Sequence, residues 1–237
     1  MSNTILKDIF LFDVDGTLVP ARQRMTEEFY SFFAEWIKGK TVYFISGSDY
    51  EKLQEQVPKD ILESIEGVFG CMGNTLHVKG ENTFKKTFTA PRELWDILEW
   101  ELNNTTYKSA FGNHVEERIG MINFSTVGRN ADLEERKNYY EWDKNTGERK
   151  HIAARINAEV ENIEAAVGGE ISIDIYPEGW DKSQILGYIP NGTYHFFGDR
   201  TEPGGNDYAL AKKLDKKKDF VYSINSFSDT ERILRSL

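Results

Sequence analysis

Short, uninterrupted apolar runs recur at both ends of the chain and give way to another pattern between them. IFLF (9–12), TVYFIS (41–46) and GVFGC (67–71) come first; YHFFGD (194–199) and FVYSI (220–224) come last. Runs this short and this apolar are strands covered on both faces, the condition of a parallel sheet with helices packed above and below it. The segments between them are of helix length. Thr26 is placed to cap a helix whose Phe29, Phe33, Trp36 and Ile37 recur at helical spacing, and Asp49 is placed to start the next one. Near the end, Asp181 is placed to cap a helix through Ile185 and Leu186, and TERILRSL (230–237) reads as a last helix.

The middle differs. RELWDILEWEL (92–102) predicts an amphipathic helix with Leu94, Trp95, Leu98 and Leu102 as its core stripe. MINFSTV (121–127) and ISIDIY (171–176) alternate as strands do, and the charged stretch from Leu133 to Val167 has helical spacing. Strands and helices no longer alternate strictly, which predicts an α+β insertion with an antiparallel sheet. The fold class is therefore α/β: a Rossmann-like parallel-sheet core over residues 1–84 and 183–237, interrupted by a cap over 85–182.

Composition narrows the function classes. With a formal charge of −10, the chain lacks the positive field that nucleic acid or an anionic membrane requires, so neither is an expected partner. The single cysteine, Cys71, excludes an intramolecular disulfide and a cysteine-rich zinc site. Lys7 and Asp8 interrupt the first apolar residues, no apolar run approaches the ~20 residues of a membrane span, and the expected location is cytoplasmic. The Asn-x-Ser/Thr matches at Asn123 and Asn191 carry no weight in such a chain.

Acidic residues cluster where two of the apolar runs end. Asp13 and Asp15 follow the first, and Asp199 follows YHFF. Ligands of open parallel sheets bind beyond the carboxyl ends of the strands, so these carboxylates converge if their strands are central. Neighbouring carboxylates repel one another unless a cation neutralises them, and an all-oxygen set suits Mg²⁺. Asp207, in GGND, is a further ligand or orients one. A carboxylate pair also supplies a nucleophile and an acid/base for phosphoryl transfer. Ser46 or Ser48, at the end of the second run, is placed to bond the transferring group, and Lys182 to supply its cation. Taken singly, each feature has a plainer reading as a turn, a cap or a surface ion pair. Their conjunction in this order favours the chemistry.

DVDGT, a strand ending in serine, a lysine and GD…ND together resemble the four-motif signature of the haloacid dehalogenase superfamily. DVDGTLVPARQR, GSDYEKLQEQ, RIGMINFSTVGR, EERKNYYEWDK, ISIDIYPEGWDK and FFGDRTEPGGND resemble the eukaryotic-type phosphomannomutase family over nearly the whole chain. The resemblance implies a mutase interconverting mannose 6-phosphate and mannose 1-phosphate, with glucose phosphates as further candidates, primed by a hexose 1,6-bisphosphate. It implies that Asp13 is the phosphorylated nucleophile and Asp15 the general acid/base. Asp199, Asp13 and the backbone carbonyl of Asp15 would hold Mg²⁺, and Ser46 or Ser48 with Lys182 the transferring phosphate. Arg22, Arg118, Arg129 and Arg136 match sugar-phosphate ligands, and Ser172 and Asp174 match sugar-hydroxyl contacts. It also implies a homodimer through the cap. Two segments depart from the family pattern: GCMGNTLHVKG after the third run, and FGNHVEERIG, where Glu116 and Glu117 add negative charge beside Arg118. A sugar-phosphate phosphatase of the same superfamily is the alternative activity, and a catalytically inert binding protein the alternative class.

Overall fold

A computed structural model describes residues 7–20 and 23–237. In chain order its elements are β1 (Asp8–Phe12), α1 (Glu27–Trp36), β2 (Thr41–Ile45), α2 (Tyr50–Gln56), α3 (Lys59–Ser64), β3 (Gly67–Gly70), β4 (Thr75–Val78), β5 (Glu81–Lys85), α4 (Arg92–Asn104), β6 (Val115–Arg118), β7 (Met121–Phe124), α5 (Leu133–Thr146), α6 (Glu148–Glu159), β8 (Ile163–Val167), β9 (Ile173–Pro177), β10 (Thr193–Gly198), α7 (Tyr208–Lys213), β11 (Phe220–Ser223) and α8 (Phe227–Leu234). They divide into two compact units. One comprises the chain up to Lys85, Asp181–Pro203 and Asp207–Leu237; the other comprises Lys86–Trp180 with Gly204–Asn206. Asp181 and Lys182 therefore belong to the first unit, whereas the sequence boundary at 182 leaves them in the insertion.

The first unit is built on a seven-stranded sheet in the order β11-β10-β1-β2-β3-β4-β5. The five strands from β11 to β3 are parallel, and β4 and β5 add an antiparallel hairpin. Alternation along β1 explains its unbroken hydrophobicity: Phe10 and Phe12 enter one apolar cluster with Phe29, Phe33 and Leu53, while Ile9 and Leu11 enter another with Ile185, Phe196 and Leu210. Thr26 caps α1 by accepting the Phe29 amide, and Asp49 caps α2 by accepting that of Lys52, as their sequence positions predict.

The second unit is a four-stranded antiparallel sheet, β6-β7-β9-β8. Ile122, Phe124, Ile173 and Ile175 face Leu94, Ile97 and Leu98 of α4 and Ile152 and Ile156 of α6. Of the predicted α4 stripe, Trp95 and Leu102 are only partly buried, and Ile97 takes a core place instead. The stretch predicted as helical from Leu133 to Val167 is interrupted twice. Gly147, at φ +69°, ends α5 in a left-handed turn, and the last five residues form β8. Pairing with β9 decides that segment, because IEAAV carries no periodicity of its own that excludes a strand. Residues 182–187 form a 3₁₀ turn rather than an α-helix, with Asp181 accepting the Ser183 amide at its start. Among the described residues no helix is long and apolar enough to cross a membrane.

Candidate active site

The loop that leaves β1 folds tightly on itself. The Asp13 amide still bonds the Phe197 carbonyl of β10 (2.9 Å), and the Val14 carbonyl then accepts the amides of Thr17, Leu18 and Val19 at 3.2, 2.9 and 3.2 Å. This turn brings the Thr17 hydroxyl back onto Asp13 Oδ2 at 3.1 Å. It also requires Gly16, whose φ is +85° and whose missing Cβ would stand 2.6 Å from Asp199 Oδ2. Gly16→Ala should cost about 1–2 kcal/mol in backbone strain alone and displace Asp199. Thermal melts would show a lower Tm; a wild-type Tm would mean that the turn does not depend on glycine at this position.

Asp13 is 4% exposed, and the fully buried Lys182 meets it from the far side. Lys182 Nζ donates to Asp13 Oδ1 at 2.5 Å and to Asp207 Oδ1 at 2.7 Å. Asp207 is also fully buried, and its Oδ2 accepts the Arg200 amide at 3.0 Å. Carboxylate oxygens of Asp13, Asp199 and Asp207 lie within 4.8 Å of one another. Burial raises Asp13 well above the usual carboxylate range, with Asp207 and Asp199 adding to the rise against the pull of Lys182. Burial, then Asp207, pushes Asp199 up to about 6. Burial by itself would favour a neutral Lys182, but the carboxylates of Asp13 and Asp207 outweigh it and hold the lysine charged. Three acids surround one buried cation, Lys182, and the more exposed Arg200 adds a second near Asp199 at 3.8 Å. An oxygen-only cluster of that size and charge fits a hard divalent ion.

Asp15 is close enough to add to the rise at Asp199, and its Oδ1 accepts from Gln56 Nε2 at 2.7 Å. Ser46, 1% exposed, follows β2 just as Asp13 follows its parallel neighbour β1, and its Oγ accepts the Ser48 amide at 3.0 Å. Behind it, Cys71, Met72 and Gly73 are consecutive left-handed residues, at φ of 49°, 62° and 92°. Such strain persists only where surrounding bonds enforce it. Here the Met72 amide bonds the Ser46 carbonyl (2.9 Å), the Cys71 amide the Ser48 carbonyl (2.9 Å), and Gln184 Nε2 the Met72 carbonyl (2.8 Å). The turn thus ties the Ser46 loop to the element that begins with Lys182.

The second unit carries the other predicted residues. Glu116 accepts Arg118 Nε at 2.9 Å and Arg118 Nη2 at 3.0 Å, and also Arg129 Nε at 2.9 Å. The charge that the sequence adds at Glu116 is therefore compensated by both arginines, and the Arg118 hydrogen bonds hold its carboxyl below the usual range. Arg136 is buried and donates to the carbonyls of Ala131 and Arg129, each at 2.7 Å, so it shapes the loop that delivers Arg129. Asp174 accepts from Asn123 Nδ2 at 2.6 Å. The Ser172 carbonyl accepts the Gly168 amide, and Arg149, paired with Asp143 at 2.8 Å, holds the Gly169 carbonyl. Arg22 lies outside the described residues.

Residues 29–237 match the profile of the family described as eukaryotic phosphomannomutase. The chain belongs to that family. Among curated phosphomannomutases, a probable one from Caenorhabditis elegans is 38% identical over 224 residues, spanning 86% of this chain and 86% of that protein. One from Saccharomyces cerevisiae is 33% identical over 241 residues, spanning 97% and 93%. Among solved structures, the C-terminal domain of Candida albicans trehalose-6-phosphate phosphatase superposes with a TM-score of 0.60 at 16% identity, covering 98% of this chain and 93% of that one. At that identity the likeness is one of fold, a haloacid dehalogenase-type core carrying a second α+β unit.

Within this phosphomannomutase-family chain, the structure brings Asp13, Lys182, Asp199 and Asp207 together in one unit, and Arg118 and Arg129 together in the other. Thr17 and Gln56 are contacts that sequence reasoning missed, and Glu116, read there only as added charge, is the partner of both arginines. Thr17 stands within the quoted motif, and its four-residue offset from Asp13 was the available signal. Gln56 is 41 residues from Asp15, and nothing local marks it.

Proposed function

We propose that the chain is a phosphohexomutase that interconverts mannose 6-phosphate and mannose 1-phosphate. The observation that carries this reading is the buried Asp13, bonded at one oxygen by Lys182 and at the other by Thr17. A carboxylate so held has a fixed direction of attack and a cation beside the phosphoryl group it receives. An oxygen of Asp13 attacks phosphorus of a hexose 1,6-bisphosphate, the bond from phosphorus to the sugar oxygen breaks, and Asp15 gives that oxygen its proton. The monophosphate formed is one product. In the return step the hydroxyl of an incoming hexose monophosphate loses its proton to Asp15 and attacks phosphorus, releasing the Asp13 carboxylate. Gln56, bonded to Asp15 Oδ1, orients that carboxyl for both transfers.

Mg²⁺, held by Asp13, Asp199 and the Asp15 carbonyl with Asp207 in support, would neutralise the phosphoryl oxygens. Ser46 and Ser48 supply hydrogen bonds to the same group. Arg118, Arg129 and Arg136, with Arg22, hold the phosphate that is not reacting; guanidinium suits it because it stays charged and donates paired bonds. Ser172 and Asp174 bond sugar hydroxyls. The resemblance also supports a cytoplasmic homodimer that pairs through the second unit, which sedimentation would test.

A phosphatase would use the same carboxylates and pass the phosphoryl group to water, so product analysis decides. Mannose 1-phosphate supplied with the 1,6-bisphosphate and Mg²⁺ should give mannose 6-phosphate with little inorganic phosphate. Phosphate release without isomerisation would overturn the mutase reading. Glucose phosphates in parallel would rank the sugars.

A further inference from the structure

Glu116 has no part in the reaction just described, yet it stands at the centre of the charged face of the second unit. In the sheet it lies opposite Asn123, and Asn123 lies opposite Asp174, so three polar residues form one row across β6, β7 and β9. That row is on the face away from the apolar cluster, which takes the alternate residues Val115, Ile122, Phe124, Ile173 and Ile175. Arg118, two residues along the same strand, shares the face and meets the Glu116 carboxylate through both of that carboxylate's oxygens. Arg129 reaches Oε2 of the same carboxylate from the loop after β7. The backbone of that loop is fixed by the bond from the Arg129 amide to the Asn113 carbonyl (2.6 Å) and by Arg136.

Two guanidinium groups brought side by side repel each other, and each has several rotatable bonds through which to escape. One carboxylate that accepts from both removes the repulsion and fixes the plane of each group before any ligand arrives. Glu117, on the same strand, faces the other way and is exposed, so the alternation of the strand singles out Glu116 and not acidity in general.

We infer that Glu116 is a positioning residue that aligns Arg118 and Arg129 as a single anion-binding pair and so sets affinity for a sugar phosphate, not the rate of phosphoryl transfer. The inference rests on the reading that these arginines take that phosphate. Loss of a charge-assisted, two-pronged bond predicts that Glu116→Gln raises KM for mannose 1-phosphate about ten- to hundred-fold, with kcat within about threefold of wild type. Glu117→Gln, the same change of charge on the same strand, should leave KM near wild type. Glu116→Asp keeps the charge but is too short to bridge both arginines, so its KM should also rise.

The same variants made in the Asp13→Asn background and titrated calorimetrically with mannose 1-phosphate read affinity without turnover. Absence of isomerisation by the wild type would therefore overturn the mutase reading alone. Affinity of Glu116→Gln equal to that of Glu117→Gln would overturn the inference. So would tighter binding, which would make Glu116 a competitor of the ligand. A wild-type KM in Glu116→Asp would overturn the alignment of the two arginines by one bridging carboxylate, and this variant decides the matter if Glu116→Gln does not fold.

Discussion

Asp13→Asn should abolish isomerisation and phosphate release together, lowering kcat by a factor of ~10⁴ or more, because an amide cannot form the acyl phosphate. The fold should survive. Lys182 keeps its bond to Asp207, and the amide oxygen can still accept from Lys182 or Thr17. Burial already holds the Asp13 pKa above its ordinary value, which means that the ionised side chain weighs against the folded state at neutral pH. Its neutral isostere should therefore melt at the wild-type Tm or slightly above. Product assays and a melt on the same preparation test both halves. Residual turnover within about tenfold of wild type would remove Asp13 from the nucleophile's role, and an unaltered biological role with no turnover would favour the inert binding protein.

Lys182→Met should produce the largest loss of stability. It removes the cation that lies between Asp13 and Asp207 and leaves their buried carboxylates facing each other and the partly exposed Asp199. Breaking a buried pair from one side costs about 3–5 kcal/mol, or roughly 10 °C in Tm for a chain of this length. Activity should fall about 10³-fold, because the developing charge on the phosphoryl group loses its fixed partner. The double variant with Asp13→Asn should recover part of the stability, by about 1–3 kcal/mol of coupling. A double variant no more stable than Lys182→Met, or a Lys182→Met protein that melts like wild type, would show that the pair does not contribute as its burial demands.

The legible parts of the fold were those in which one residue's chemistry is enough. β1, β2 and β10 are uninterrupted apolar runs because they are covered on both faces, and such runs can be read without knowing their neighbours. The gathering of Asp13, Lys182 and Asp199 was legible because acids that follow central apolar runs meet at one sheet edge and call for a cation beside them. β8 was not, because IEAAV becomes a strand only by pairing with β9. The hairpin of β4 and β5 was missed for a related reason: ENTFK is mostly exposed, and the buried face of TLHV is polar, Thr75 and His77, so neither gives an apolar pattern to read. Glu116 was visible as a charge and misleading as one, since its effect depends on Arg129, 13 residues away on another loop. Gln56 and Gln184 likewise act through partners distant in sequence.

The place of β1 bears on how the protein comes into being. β1 pairs on one side with β2, a close neighbour in sequence, and on the other with β10, so that Asp8 faces Thr193. Until some two hundred residues have left the ribosome, the nascent chain presents β1 as an open edge, able to join a strand of another chain. Lys182, Asp199 and Asp207 emerge on the far side of the same interval. The second unit, of which all but Gly204–Asn206 runs from Lys86 to Trp180, can fold while the edge waits. Closing so long a loop is entropically slow; the arrival of β10 then covers the open side of β1, and Asp199, Asp207 and the edge strand β11 follow it. Chains cut short before β10 would accumulate as sticky, inert intermediates, a burden for chaperones rather than a slower enzyme.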